Sequence, residues 1–226
     1  MDDQLSAPRP DPLPVTERSR LRRSHQRGHF DRETIYSILD AQPMCSVGYV
    51  MDGKPYVTPT LQWREGDHVY WHGSSASRAL KAGRGVEVCL TVSILDGFVL
   101  ARSGMHHSVN SRSVMLFGEA QVVEDPAEKH AKLGRFVNAL FPGRYEMLRE
   151  EHAQDLKATM VLGMKIEEGA AKVRTGGPID EDEDYDLPIW AGVIPVKMVA
   201  GEAIPDPRNL PGVEMPEHVK GYRFPE

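Results

Sequence analysis

Tyr49–Lys81 reads YVMDGKPYVTPTLQWREGDHVYWHGSSASRALK, and the fold turns on how it is read. Residues alternate in Tyr56–Trp63 and again in His68–His72, with Asp52-Gly53 and Gly66-Asp67 at the joins. Period-two runs joined by two-residue turns containing glycine predict antiparallel hairpins, not helix. The bend Gly73-Ser74-Ser75-Ala76-Ser77 leads into Arg78-Ala79-Leu80-Lys81, whose composition favours a helix opening on hydroxyls. Arg78 and Lys81 stand one turn apart just past that bend, so the corner carries the donors of a phosphate clamp. An ordinary helix cap with a solvated basic face would use the same residues.

Before this stretch, Asp31 can cap a helix with Ile35, Ile38 and Leu39 on one face, stopping ahead of Pro43, and Met44–Val50 follows as a strand. After it, Val86–Ser93 reads as a strand buried on both sides, and Asp96-Gly97 as a turn into Phe98–Arg102. Val114–Val123 is a further strand, with Gly118 marking a bulge. From Pro126 the spacing becomes helical, through Ala127, Ala131, Leu133, Phe136, Val137 and Leu140. A short helix over Arg144–His152, a strand pair at Met160–Ile166 and Ala171–Arg174, and a solvated acidic loop at Asp180–Asp186 complete the pattern. The expected class is α+β, an antiparallel barrel with a few peripheral helices. Residues 1–19 are expected as a disordered tail, 20–200 as the domain, and 201–226 as an extension wrapping the surface or a neighbour.

The 226 residues can bury a sizeable core, and a net charge of −6 argues against bulk nucleic-acid binding. The cluster Arg18, Arg20, Arg22, Arg23 and Arg27 is short and has only Phe30 beside it, so it reads as a surface segment, for a phosphate site or a subunit contact. No apolar run approaches the roughly 20 residues of a membrane span, and the first residues lack a signal peptide's apolar core, which places the protein in the cytoplasm. Cys45 and Cys89 sit in apolar segments without metal spacing and read as reduced thiols. Walker, GxGxxG, GxSxG and HExxH patterns are all missing. His106-His107 and His72 could meet a metal, but no carboxylate or Cys accompanies them at ligand spacing, so no metal site is assigned.

Three polar segments remain: Tyr56–Thr60, His72–Lys81 and Asn110–Ser113. Flavin mononucleotide (FMN) would use them well, since its phosphate needs charged donors and its ring needs backbone N–H and C=O groups along a strand edge. Pro59 cannot donate to a ladder and points to a peripheral position on that strand. In KPYVTPTLQW, HVYWHGSSASRALKA, LARSGMHHSVNSRSVMLFGEA and RTGGPIDEDEDYDLPIWAGVIP, the chain resembles the FMN-binding split-barrel superfamily of pyridoxamine 5'-phosphate oxidase. Its nitroimidazole-resistance-type branch is the nearest in pattern. The resemblance spans about Arg20 to Pro195 and implies an antiparallel split barrel, a homodimer and cofactor between subunits. It places Val57, Thr58, Pro59 and Thr60 beside the flavin ring and His72, Gly73 and Ser74 at the next strand's end. Ser77, Arg78 and Lys81 fall at the phosphate, Arg112 and Ser113 near the ring, and Trp190 as cover from the partner. The C-terminal Arg and His of true pyridoxamine phosphate oxidases are not found, which speaks against vitamin B6 as substrate.

The activity this implies is an FMN-dependent oxidoreductase passing electrons from a reduced nicotinamide to a nitroaromatic or quinone. No side chain is singled out as catalytic. A haem-handling relative using His106 or His107, a deazaflavin protein, and a flavin-binding module without turnover are the rival readings.

Overall fold

The computed structural model describes residues 11–224. Helix α1 (Arg32–Ala41) begins where Asp31 accepts a 2.8 Å hydrogen bond from the Thr34 amide, and it buries Ile35, Ile38 and Leu39 as its spacing predicts. Strands β2 (Met44–Met51) and β3 (Lys54–Glu65) pair in one hairpin across Asp52-Gly53, both with positive φ, as a type I′ turn requires. The strand β4 (His68–Ser74) returns along β3 and is followed by the six-residue helix α2 (Arg78–Gly83).

Next come β5 (Glu87–Leu100) and β6 (Ser108–Glu119), the longest pairing in the molecule, then the short β7 (Gln121–Val122) and helix α3 (Pro126–Leu140). Helix α4 (Ala153–Ala158) precedes β8 (Thr159–Lys165) and β9 (Glu168–Arg174). With β1 (Gly28–His29) and β10 (Gly192–Pro195), the strands run β1-β9-β6-β5-β2-β3-β4-β8-β7, and β10 lies on β5. Every pairing is antiparallel. This is the split barrel, an α+β fold with peripheral helices. One core fills it, with Leu90, Leu116, Leu162, Met164 and Ile166 sealed from solvent. A second, smaller cluster sits outside the sheet under α3, formed by Trp63, Tyr70, Val123 and Val161 with Leu133 and Phe136.

Several local expectations are corrected. Phe98–Arg102 is no separate strand: β5 runs unbroken to Leu100, and a register shift between Leu95 and Gly97 absorbs the irregularity. Its burial alternates instead of being two-sided, because one face of β5 meets the core and the other stays open. No register shift falls at Gly118. That glycine makes room for Met164, whose Cγ would lie 3.0 Å from an added Cβ. Between Arg144 and His152 only a single 3-10 turn forms, at Tyr145–Met147, and the helix comes later as α4. The acidic run is not simply solvated, since Asp180 is buried and residues Asp182–Asp186 form a 3-10 turn.

The expected tail also divides. Residues 1–10 lie outside the described residues, but 11–19 pack against the barrel. Leu13 is 2% exposed and its amide donates to the Phe30 carbonyl at 2.8 Å. Thr16 and Arg18 both bond Glu168 of β9. One apolar residue in a polar stretch is a weak signal in sequence, and only the groove beside α1 gives it somewhere to go.

Candidate functional site

The site grows out of one feature of β3. Lys54–Leu61 of this strand pair with β2, but only Gln62–Glu65 pair with β4, where the register begins at Gln62↔Trp71. Toward the other end the two strands part, so the β3 edge across Thr58–Thr60 has no strand partner. Pro59 falls on this stretch, where its missing N–H costs no ladder bond.

The fork opens as a cleft of about 170 Å³, lined by Thr58, Pro59 and Thr60 on one side and His72, Gly73, Ser74 and Ser77 on the other. Its floor is apolar, from Val47, Tyr49, Trp71, Leu80 and Leu162. The Tyr49 hydroxyl lies 3.2 Å from that of Thr58, and its ring stacks on Tyr56 at 5.7 Å between centroids. Gly73 is where α2 closes on β4: a Cβ there would meet Leu80 Cδ1 at 3.0 Å.

The bend at the cleft's mouth differs from the expected phosphate loop in one respect. Its amides are already engaged: Ser75 N donates to Ala158 O, Ser77 N to Ser74 O, and Ala76 N to Ser74 Oγ. Ser77 caps α2 by position yet makes no side-chain capping bond. The side-chain donors left free at this corner are the Ser77 hydroxyl and the exposed Arg78 and Lys81, neither of which has an ion-pair partner among the described residues. An exposed pair of cations beside hydroxyls suits a phosphate arriving from solvent.

Nine of the thirteen expected site residues thus gather at the fork or its rim: Thr58, Pro59, Thr60, His72, Gly73, Ser74 and Ser77 line it, and Arg78 and Lys81 stand beside it on α2. Val57 belongs to the same strand but is 69% exposed and faces outward. Arg112, Ser113 and Trp190 lie elsewhere in this chain. The Arg112 guanidinium is held by Asp96 at 2.9 Å, a contact that raises its pKa, and it lines a different cavity beneath Met198, Val199 and Phe224. Ser113 sits mid-strand between Ser93 and Lys172, and Trp190 is largely exposed ahead of β10.

His72 has a particular environment. Its ring packs 4.6 Å from Phe136 and 6.0 Å from Trp63, on the outer face of β4. Burial lowers its pKa, and its Nδ1 is buried without a hydrogen-bond partner. His106 and His107 are engaged differently. His107 Nδ1 lies 2.9 Å from Ser103 O, while His106 stands 3.6 Å from buried Asp180 and 3.7 Å from Glu181. Asp180 and Asp184 thus reach His106 from 74 and 78 positions away, companions the sequence did not reveal. Asp180 is itself bonded by the Arg102 backbone amide at 3.0 Å and by its guanidinium at 3.1 Å, and its pKa is lowered, since these bonds outweigh its burial.

The apolar floor went unnoticed in the sequence because Leu162 and Trp71 meet only through the β4–β8 pairing, a contact across 91 positions with no local signature. Lys132 and Glu65 were also missed. Here α3 carries a buried lysine 2.8 Å from the Glu65 carboxylate and 4.1 Å above the Tyr70 ring.

The family model described as pyridoxamine 5'-phosphate oxidase matches residues 31–173, and the chain belongs to that family. Among solved structures, the flavocytochrome Anf3 from Azotobacter vinelandii is 50% identical, with 92% of this chain and 98% of that chain covered and a TM-score of 0.89. The FAD and heme binding protein from Mycobacterium smegmatis is 32% identical over 88% of this chain and 100% of its own, at a TM-score of 0.85. A candidate 5-nitroimidazole antibiotic resistance protein from Bacteroides thetaiotaomicron is 25% identical over 63% of this chain and 84% of its own, at a TM-score of 0.50. No curated protein matches the chain. Among the described residues, no helix is long and apolar enough to cross a membrane.

Proposed function

We propose that this protein is a redox protein that binds both a flavin and a haem. The observation that carries the proposal is the 50% identity to a flavocytochrome over nearly the full length of both chains. Likeness to the FAD and heme binding protein, again end to end, supports the same pairing and favours FAD over FMN. The flavin supplies two-electron uptake with one-electron release, and the haem a one-electron carrier.

The residues present fit a flavin. The partnerless edge across Thr58–Thr60 offers main-chain groups to a ring, the apolar floor offers it cover, and Ser77, Arg78 and Lys81 offer side-chain donors to the phosphate. A cleft of about 170 Å³ is below the roughly 300–1,000 Å³ of ordinary ligand pockets, so the remainder of the cofactor needs a second surface. A second copy of the chain would supply it, bringing Arg112, Ser113 or Trp190 to a cleft that they do not reach in their own chain. The donor is read as a reduced nicotinamide and the acceptor as a small oxidised molecule.

The visible spectrum of the purified protein tests this directly. Flavin absorption together with a Soret band is the expected result. Flavin bands without haem uptake on adding haemin would return the protein to the simple flavin reductase class, and absence of both would overturn the reading. Anaerobic mixing with NADH or NADPH should bleach the flavin.

A further inference from the structure

We infer that His106, Asp180 and Asp184 form a binding site for a divalent transition ion of the zinc kind. None of the three lines the cleft, so the inference is independent of the flavin and of the haem. Each side chain presents one ligand atom, and these atoms all lie within 4.8 Å of one another. One imidazole nitrogen and two carboxylate oxygens, with the fourth position left to water, are a donor set that such ions take in tetrahedral geometry.

The imidazole is the decisive observation. Its Nδ1 is sealed from solvent and has no hydrogen-bond partner among the described residues. Asp180 Oδ1 stands 3.6 Å from it, beyond the roughly 2.7–3.2 Å of a hydrogen bond. Two atoms bound at about 2.1 Å to one tetrahedral ion are about 3.4 Å apart, so this separation suits a shared ion better than a shared proton. The other ring nitrogen, Nε2, lies 3.7 Å from Glu181 Oε1, which puts a carboxylate behind the ligating ring, as metal-bound histidines commonly have.

Charge adds a second argument. Buried Asp180 accepts from the Arg102 amide through Oδ1 and from its guanidinium through Oδ2, so one lone pair of Oδ1 is left for an ion while Arg102 holds the carboxylate in place. Asp184 is half-buried, and its carboxylate has neither a hydrogen bond nor an ion pair among the described residues. Around a neutral imidazole, the carboxylates of Asp180, Glu181 and Asp184 thus face one guanidinium, and a divalent ion would cancel the excess. The ion would tie the turn Gly104–His106, between β5 and β6, to the turn Asp182–Asp186. The second turn leads through Trp190 into β10, so the ion would also set where that indole stands.

The test uses the full-length, untagged protein as purified, dialysed first against a chelator. Zn²⁺ is titrated by calorimetry into wild type, His106→Gln, Asp184→Asn and Asp182→Asn, with circular dichroism recorded on each. Asp182 is the control, an exposed carboxylate of the same acidic run outside the cluster. Wild type should take up Zn²⁺ stoichiometrically, His106→Gln and Asp184→Asn should bind it at least tenfold more weakly, and Asp182→Asn should match wild type. Zn²⁺ at a hundredfold excess over its Kd should raise the thermal midpoint of wild type by about 5–10 °C, and that of the two ligand variants by much less. Absence of stoichiometric uptake by wild type overturns the site. So does an unchanged affinity in folded His106→Gln, or a loss in Asp182→Asn as large as in Asp184→Asn. If His106→Gln fails to fold, Asp184→Asn decides, since its side chain has no partner among the described residues to lose, and an unchanged affinity there overturns the assignment.

Discussion

The same two strands behave in opposite ways along their length. From Gln62 to Glu65, β3 zips onto β4, Trp63 stacks on Tyr70 at 5.6 Å, and Trp63 Nε1 donates to Glu65 at 2.9 Å. Lys132 and Arg135 of α3 close on the same carboxylate. Across Thr58–Thr60 the strands part, the edge has no strand partner, and the nearby cations Arg78 and Lys81 have no counter-ion among the described residues. In the closed half the Trp63 indole and the Glu65 carboxylate are paired within the protein, and Gln62 Oε1 alone is left buried without a partner there. The open half leaves a strand edge and two cations unpaired, and this contrast is the reason the fork is proposed as the site.

The largest effect expected is in the open half. Arg78→Ala with Lys81→Ala should weaken flavin binding by about 3 kcal/mol or more, roughly a hundredfold, if each charged contact contributes about 1.5–3 kcal/mol. Thermal stability of the apo-protein should not move, because both side chains are exposed and unpaired. Fluorescence titration measures the first and calorimetry the second; a stability loss with unchanged affinity would invert the comparison.

In the closed half the signs should reverse. Glu65→Ala leaves the buried Lys132 ammonium without its partner and should cost on the order of 2–3 kcal/mol of stability with little change in flavin affinity. Denaturant melts would show it as a lower midpoint. Gly73→Ala tests the hinge between the halves. Its Cβ would meet Leu80, so α2 must shift, costing about 1 kcal/mol and loosening the flavin a few-fold.

The smallest effects are in pH dependence. Burial raises the Glu65 pKa, but hydrogen bonds from Lys132, Trp63 and Arg135 lower it further, so its net shift is downward. A depressed carboxylate adds stability that is present above its unfolded value, about 4.3, and is lost as pH falls through the folded value. The denaturation midpoint should therefore drop on acidification below about pH 4, and less so in Glu65→Gln. His72, also depressed but by burial, gives a separate loss as pH falls below its unfolded value of about 6.5, removed in His72→Gln.

What could be read in advance followed the range of the forces involved. Alternation, the Asp52-Gly53 turn, the Asp31 cap and the α3 spacing are local, and each formed close to where it was expected. The corner at Ser77–Lys81 was legible for the same reason, although its bend amides proved to be spent on the protein itself. The buried amphipathic face of α3 was less so: Ala127 and Ala131 are exposed while Lys132 is buried, because Glu65 and Tyr70 wait beneath it.

The sequence by itself determined the elements, the barrel class and the polar corner, since these rest on contacts within a few residues and on family pattern. Only the tertiary structure decided that β3 changes partner at Leu61 and opens a cleft, that Asp180 reaches His106, and that His72 packs against Phe136 and Trp63. Those outcomes depend on which distant strands and helices meet, and burial, not local propensity, sets the partners.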